Sequence, residues 1–433
     1  MTSVNPSPSA ADLAPADTRR AWVMLIVITM LTMAGMTVVL PVLPFVVKQY
    51  VPDHGSLAVW VGLLETVNAL CAFLVAPLMG RLSDRYGRRP VIIVAAFGAV
   101  IGYLLFGIGG SIWMLLLGRI VQGLTAGDLP ALFAYLADIT PPEKRAQRFG
   151  LLGALTGIGT MIGPALGGLL ASISVQAPVF VTAAIALVIA VLSIFVLPES
   201  LKPANRSARL EVRDIHPFSA FKDVFARREL RGLILGLILT AVPFGFFVNN
   251  FSVLALDSLG WNATFIGFTT AAVGIIDIVI QGVLLGVLLP RIGERGVVVA
   301  GIVAQALGLL ALAIVGSVFA QPLVFVVGTL VLAAGQGAAT ATMDGILSNS
   351  VGDDEQGWLA GATSSLQSAV GMVAPLVAGG LYATIAHSAP YWLGLVMMAA
   401  AAVVLARAKF ASPSLRGTSD ADAAAPAAAE SAA

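Results

Sequence analysis

The sequence predicts an all-α membrane protein with twelve transmembrane helices in two six-helix pseudo-repeats. Three observations carry that reading. Of 433 residues, 58% are apolar and 11% charged, against roughly 25% charged in an ordinary soluble domain. The mean hydropathy is +0.95. With only 24 basic and 23 acidic side chains, the chain could not clothe this much apolar mass in water, which excludes a soluble enzyme. The second observation is a series of apolar stretches of about 20 residues, the length needed to cross hydrocarbon as helix. The third is a long polar segment that divides those stretches six and six.

The twelve stretches fall near 21–47, 58–80, 90–109, 112–137, 147–171, 178–197, 230–256, 263–289, 296–317, 322–350, 356–384 and 389–408. They are continuous and rich in Leu, Ala and Gly, whereas strands of a transmembrane barrel alternate in segments of about ten residues. The first stretch is too long for a signal-peptide core and has no cleavage pattern before the second, so it is expected to stay attached.

Orientation follows from the basic residues. With the N-terminus inside, 22 of the 24 Lys and Arg lie on the inner side; Lys48 falls outside and Arg119 within a span. The positive-inside rule then places both termini in the cytoplasm. The expected organisation is an N-terminal disordered tail at 1–20, a six-helix bundle at 21–197, a cytoplasmic linker at 198–229, a second bundle at 230–408 and a disordered tail at 409–433. Within the linker, Phe218, Phe221, Val224 and Phe225 recur at helical spacing among charged residues, the pattern of an amphipathic surface helix.

An internal repeat supports the division. Gly80-Arg-Leu-Ser-Asp84-Arg85-Tyr-Gly87-Arg88-Arg89 follows the second span, and Gly286-Val-Leu-Leu-Pro-Arg291-Ile-Gly293-Glu-Arg295 follows the eighth. Repeated halves suit a transporter that rocks one bundle against the other about a central site. Other chemistries lack their motifs. There is no phosphate-binding G-x-x-x-x-G-K-[ST] loop, the three histidines are scattered, and Cys71 is alone, so neither direct ATP drive, a metal site nor a disulfide is expected. Basic residues do not cluster as nucleic-acid binding would need.

The Gly80–Arg89 segment matches G-x-L-x-D-R-x-G-R-R, the signature loop between helices 2 and 3 of the major facilitator superfamily, and on it the chain resembles that superfamily over nearly its whole length. The resemblance implies a conformational lock of Gly80, Asp84, Arg85, Gly87 and Arg88, joined by Asp138 at the inner end of helix 4. Arg119-Ile-Val-Gln122-Gly123 is similar to the family's R-x-x-Q-G motif; Gly153, Gly157, Gly163, Pro164 and Gly167 resemble the glycine-proline packing motif of its antiporter branches. Pro41-Val-Leu-Pro44, Tyr135-Leu-Ala-Asp138 and Leu197-Pro-Glu-Ser200 are similar to segments of the twelve-helix drug/proton antiporters, especially the tetracycline exporters. Those exporters carry an aspartate in helix 1 where this chain has Thr32.

A proton-exchanging carrier needs a carboxylate inside the membrane. Four are available, Glu65, Asp128, Asp277 and Asp344, and each is costly there unless protonated, paired or wetted. The resemblance places helices 1, 4, 7 and 10 around the cavity, which favours Asp128 and Asp344. Gln336, Thr340 and Asp344 recur every four residues and form one polar stripe. Arg119, Gln122, Thr32, Asn249 and Asn250, with Gln336 and Thr340, are the expected substrate contacts; a buried ion pair is the alternative for Arg119. Apolar contacts are expected from Met33, Met36, Phe244, Phe246, Phe247 and Phe251.

The expected function is export of small amphipathic or hydrophobic molecules in exchange for protons, by alternating access. A sugar or metabolite exporter, or an uncoupled facilitator, is the second reading, and a non-transporting membrane sensor a remote third. The expected partners are a small-molecule substrate, protons and lipid, with no nucleic acid and no cofactor beyond the proton gradient. The protein is expected to be a monomer in a bacterial plasma membrane.

Overall fold

The computed structural model describes residues 15–51, 56–201, 206, 230–352 and 356–407. Among these residues every regular element is helical: α1 (Pro15–Val38), α2 (Leu43–Lys48), α3 (Leu57–Tyr86), α4 (Arg88–Ile108), α5 (Ile112–Thr125), α6 (Asp128–Ile139), α7 (Pro142–Ala171), α8 (Ala177–Phe195), α9 (Arg231–Leu259), α10 (Ala263–Val279), α11 (Leu285–Ser317), α12 (Pro322–Asn349), α13 (Gln356–Thr384) and α14 (Ala389–Arg407). The amphipathic segment of the linker and the 409–433 tail lie outside the described residues.

Among the described residues eleven helical stretches are long and apolar enough to cross a membrane, and one of them, Ala263–Ser317, runs for 55 residues. At 1.5 Å per residue that stretch is about 80 Å long, more than two crossings of a ~30 Å hydrocarbon layer. It is broken at Gly293, whose φ of 70° and ψ of 169° reverse the chain, so it supplies two crossings and the total is twelve.

Two breaks depart from the expected spans, and proline is the local cause of each. The first span ends at Val38 rather than 47, because Pro41 and Pro44 cannot continue the α1 ladder. Pro15–Arg20, expected in the tail, instead form the start of α1. The fourth span is split: Ala126 is extended (φ −61°, ψ 121°) and α6 restarts at Asp128, since Pro130 lacks the N–H that would bond back to Ala126. A π-helical turn over Ile280–Leu284 joins α10 to α11.

Within the first six crossings, α1 packs on α7 and α8, and α4 on α5 and α8; within the last six, α11 packs on α12 and α9 on α13 and α14. Two pairs make most of the contact between the halves, α3 with α13 and α7 with α10, and α9 adds smaller contacts to α2 and α3. Both pairs touch at the end where α3 begins. A Cβ on Gly62 would collide with Pro375 O, one on Gly379 with Ala58 O, and one on Gly267 would lie 2.5 Å from Pro164 O. Thr66 Oγ1 donates to Met372 O at 2.9 Å, and Thr264 Oγ1 to Gly168 O at 2.8 Å. At the opposite end the halves part. Gly80 and Gly361 lie 18 residues, or five helical turns, from Gly62 and Gly379 and so on the same faces, yet a Cβ on either would meet nothing within 4 Å. Gly150 and Gly153 of α7 are open in the same way.

Candidate functional site

Between the halves lies a cavity of about 510 Å³. Leu43, Pro44, Val61, Leu237, Phe244, Val248 and Val370 give it an apolar wall; Glu65, Asn68, Asn249, Ser252, Gln336, Thr340 and Gln367 are its polar groups, and among the described residues Glu65 is the only charged one lining it. An apolar chamber with few polar anchors is the ordinary form of a small-molecule site.

Glu65 has a partner behind it. Arg119 Nη2 donates to Glu65 Oε1 at 2.7 Å. The guanidinium also lies 5.1 Å over the Phe106 ring and donates to Gln122 Oε1 at 3.2 Å, and Asn68 Nδ2 donates to the backbone oxygen of Arg119 at 3.1 Å. Exposure orders the pair: the Arg119 side chain is 7% exposed and that of Glu65 27%. Glu65 therefore lines the cavity while Arg119 stands outside it, supporting the carboxylate. Pairing is what makes a cation tolerable at this depth.

The structure brings Glu65, Asn249, Gln336 and Thr340 to this cavity and leaves other expected residues away from it. Asn250 is fully buried, donating from Nδ2 to Ala378 O at 3.0 Å. Its neighbour turns the other face of α9 to the cavity, as consecutive helical residues must. Gln122 and Arg119 stand behind Glu65. Asp344 is exposed and outside the cavity, although Gln336 and Thr340 of the same stripe are within it. Asp277 is likewise outside it, accepting from Gln281 Nε2 at 2.8 Å. Phe246, Phe247 and Phe251 are core residues, and of that group Phe244 alone reaches the cavity. No residue of α5 or α6 lines it; α3 and α13 do, because these two helices meet and close one end. Gln367 and Ser252 are not among the sequence candidates, though an amide in the middle of an apolar stretch is a signal that could have singled out Gln367.

Thr32 and Asp128 share a second, smaller pocket of about 40 Å³ with Tyr103 and Thr182. Thr32 Oγ1 there is buried with no hydrogen-bond partner.

The loop after α3 forms an ion-paired cluster. Arg88 Nη1 meets Asp84 Oδ1 at 2.5 Å and its Nε meets Asp138 Oδ2 at 3.1 Å, while Ser200 Oγ donates to Asp138 Oδ2 at 2.9 Å. Glu199 caps α4: its Oε1 accepts from Arg88 N at 2.8 Å and its Oε2 from Arg89 N at 3.2 Å, an anion on the positive end of a helix. Gly87 turns the chain with φ 109°, and a Cβ there would collide with Glu199 Oε2. Arg85 lies 5.3 Å over the Tyr86 ring rather than in the ion pairs. Arg89 donates to Ser193 O and Ile194 O at the end of α8, and the second repeat does the same: Gly293 has positive φ and Arg295 Nη2 donates to Ala406 O at the end of α14 at 3.0 Å.

Twelve crossings, a repeated basic turn and a chamber between the halves define a polytopic carrier of transporter architecture. The Major Facilitator Superfamily model matches residues 25–316 and 233–431, and the chain belongs to that family. It is 35% identical over 380 residues to the class C tetracycline resistance protein of Escherichia coli, covering 86% of this chain and 91% of the relative. It is 33% identical to the class H protein of Pasteurella multocida (87% and 92%) and 28% identical to multidrug resistance protein 2 of Bacillus subtilis (84% and 89%). Among solved structures, the human organic anion transporter MFSD10 superposes with a TM-score of 0.64 at 22% identity, covering 91% of this chain and all of that one. The nucleoside transporter NupG gives 0.68 at 13%, with 90% and 97% covered. These last two bear on the fold alone.

Proposed function

We propose that the protein exports small amphipathic or hydrophobic molecules from the cytoplasm in exchange for protons, by alternating access of the 510 Å³ cavity. The observation that carries the reading is this cavity, largely apolar and set between halves that touch at one end and part at the other. The positive-inside rule puts the Arg88 end in the cytoplasm, so the described state is inward-open. Family membership and the resistance proteins among the relatives support an efflux direction.

Asp128 is the group we assign to the proton. Helix 1 holds Thr32 in place of the exporters' aspartate, yet Asp128 reaches the same small pocket from α6, so the pocket keeps a carboxylate from another helix. Substrate and proton then occupy different pockets and communicate through helix movement. The cluster of Asp84, Arg88 and Asp138 biases which end is closed. The uncoupled reading draws on one observation, that the cavity's own carboxylate, Glu65, is already neutralised by Arg119. Purified protein in proteoliposomes separates the two: accumulation of a lipophilic drug against its gradient only when an inside-acid pH difference is imposed supports exchange, and equilibration without accumulation supports the facilitator.

A further inference from the structure

We infer that the central cavity selects cations, and that Glu65 is the residue that sets this preference, its charge held in place by Arg119. The inference rests on the cavity being the substrate site, as proposed above, and goes on to name the substrate class.

Three features agree on the sign. Among the described residues Glu65 is the only charged one lining the cavity, and its countercharge is withdrawn from it, with 27% against 7% exposure for the two side chains. A substrate thus meets the negative end of the pair first. Two of the four amides in the wall hold unpaired oxygens: Asn249 Oδ1 and Gln336 Oε1 are buried without a hydrogen-bond partner. The Asn249 orientation is set by its own amide group, whose Nδ2 donates to Asn250 Oδ1 at 2.8 Å and Pro375 O at 3.3 Å, so oxygen is what remains unused. In a chamber of low polarity, unpaired acceptors beside a carboxylate favour a cation and penalise an anion. The remaining wall, with Phe244 and Val248, suits an apolar body. The substrate class is an amphipathic organic cation.

Arg119 is a positioning residue. It fixes Glu65 through Oε1 and is itself fixed by Gln122 and Phe106. Removing only the carboxylate would leave the guanidinium as the sole charge near the cavity and turn the preference over.

The test uses two probes of the same shape and opposite charge, tetraphenylphosphonium and tetraphenylborate, bound to purified full-length protein in detergent. Wild type is expected to bind the cation at least about tenfold more tightly than the anion, Glu65→Gln to abolish or reverse that ratio, and Glu65→Asp to keep its sign. Should Glu65→Gln not fold with Arg119 unpaired, Glu65→Gln combined with Arg119→Gln removes both charges and is expected to give a ratio near one. Equal binding of the two probes by wild type, tighter binding of the anion, or an unchanged ratio in folded Glu65→Gln overturns the inference. Binding in detergent needs no gradient, so a preserved ratio with no proton exchange in vesicles would sink the antiport reading alone.

Discussion

Arg88 on α4 and Asp138 at the end of α6 meet at 3.1 Å across 50 residues of sequence, and Asp84 meets the same guanidinium from the preceding helix. The two acids are not equivalent. Asp84 is half-exposed, at 52%, and Asp138 is 20% exposed. Exposed pairs contribute about 0–1 kcal/mol, so Asp84→Asn should leave thermal stability nearly unchanged while impairing transport. Asp138→Asn removes the charge that faces Arg88 and leaves one amide oxygen to serve Arg88 and Ser200, and should cost about 1–3 kcal/mol. Melting of the detergent-purified variants beside transport in vesicles checks both; normal transport by well-inserted Asp84→Asn would remove the lock from the mechanism.

Glu199 and Gly87 give a second prediction. The Glu199 carboxylate takes two backbone N–H groups of α4 and the N–H of Leu201, so Glu199→Ala should lower stability by about 0.5–2 kcal/mol, the usual value of a helix cap. Gly87→Ala meets positive φ and that same carboxylate together and should be the more damaging. If Gly87→Ala melts with wild type, the turn is not held as described.

How much of this is readable in the sequence depends on the type of interaction. The twelve crossings are legible, because hydrophobic length is a local signal; the Arg88–Asp138 contact spans 50 residues and is legible only through the family resemblance that the Gly80–Arg89 motif carries. The Leu197–Ser200 segment is also visible, but only as a family token. That Glu199 caps α4 depends on α8 ending beside α4, a tertiary fact. The same limit applies to Glu65. It reads as a candidate proton carrier, and nothing in its neighbourhood announces an arginine 54 residues away. The resemblance places Asp128 on the central cavity with the rest of helix 4; past the break at Ala126 it lines the Thr32 pocket instead.

The glycines of α7 separate packing from motion. Gly167 lies so close to Val38 O that a Cβ would collide with it, whereas one on Gly153 meets nothing within 4 Å. Gly167→Ala should therefore destabilise the first bundle by about 1–3 kcal/mol, the ordinary cost of overpacking. Gly153→Leu should melt like wild type and still lose transport, because it fills the surface that closes when the cytoplasmic ends approach. Transport at the wild-type rate by Gly153→Leu would mean that this face stays open throughout the cycle.

The most direct measurement is substrate-driven proton movement in everted membrane vesicles, energised and then challenged with a lipophilic amine, for wild type beside Asp128→Asn. Proton exchange by a coupled carrier requires release of protons from the vesicle lumen on substrate addition in wild type, and loss of that release in Asp128→Asn with substrate binding retained. Substrate uptake by wild type without any proton movement, or full proton release by Asp128→Asn, would contradict the assignment of Asp128 as the coupling group.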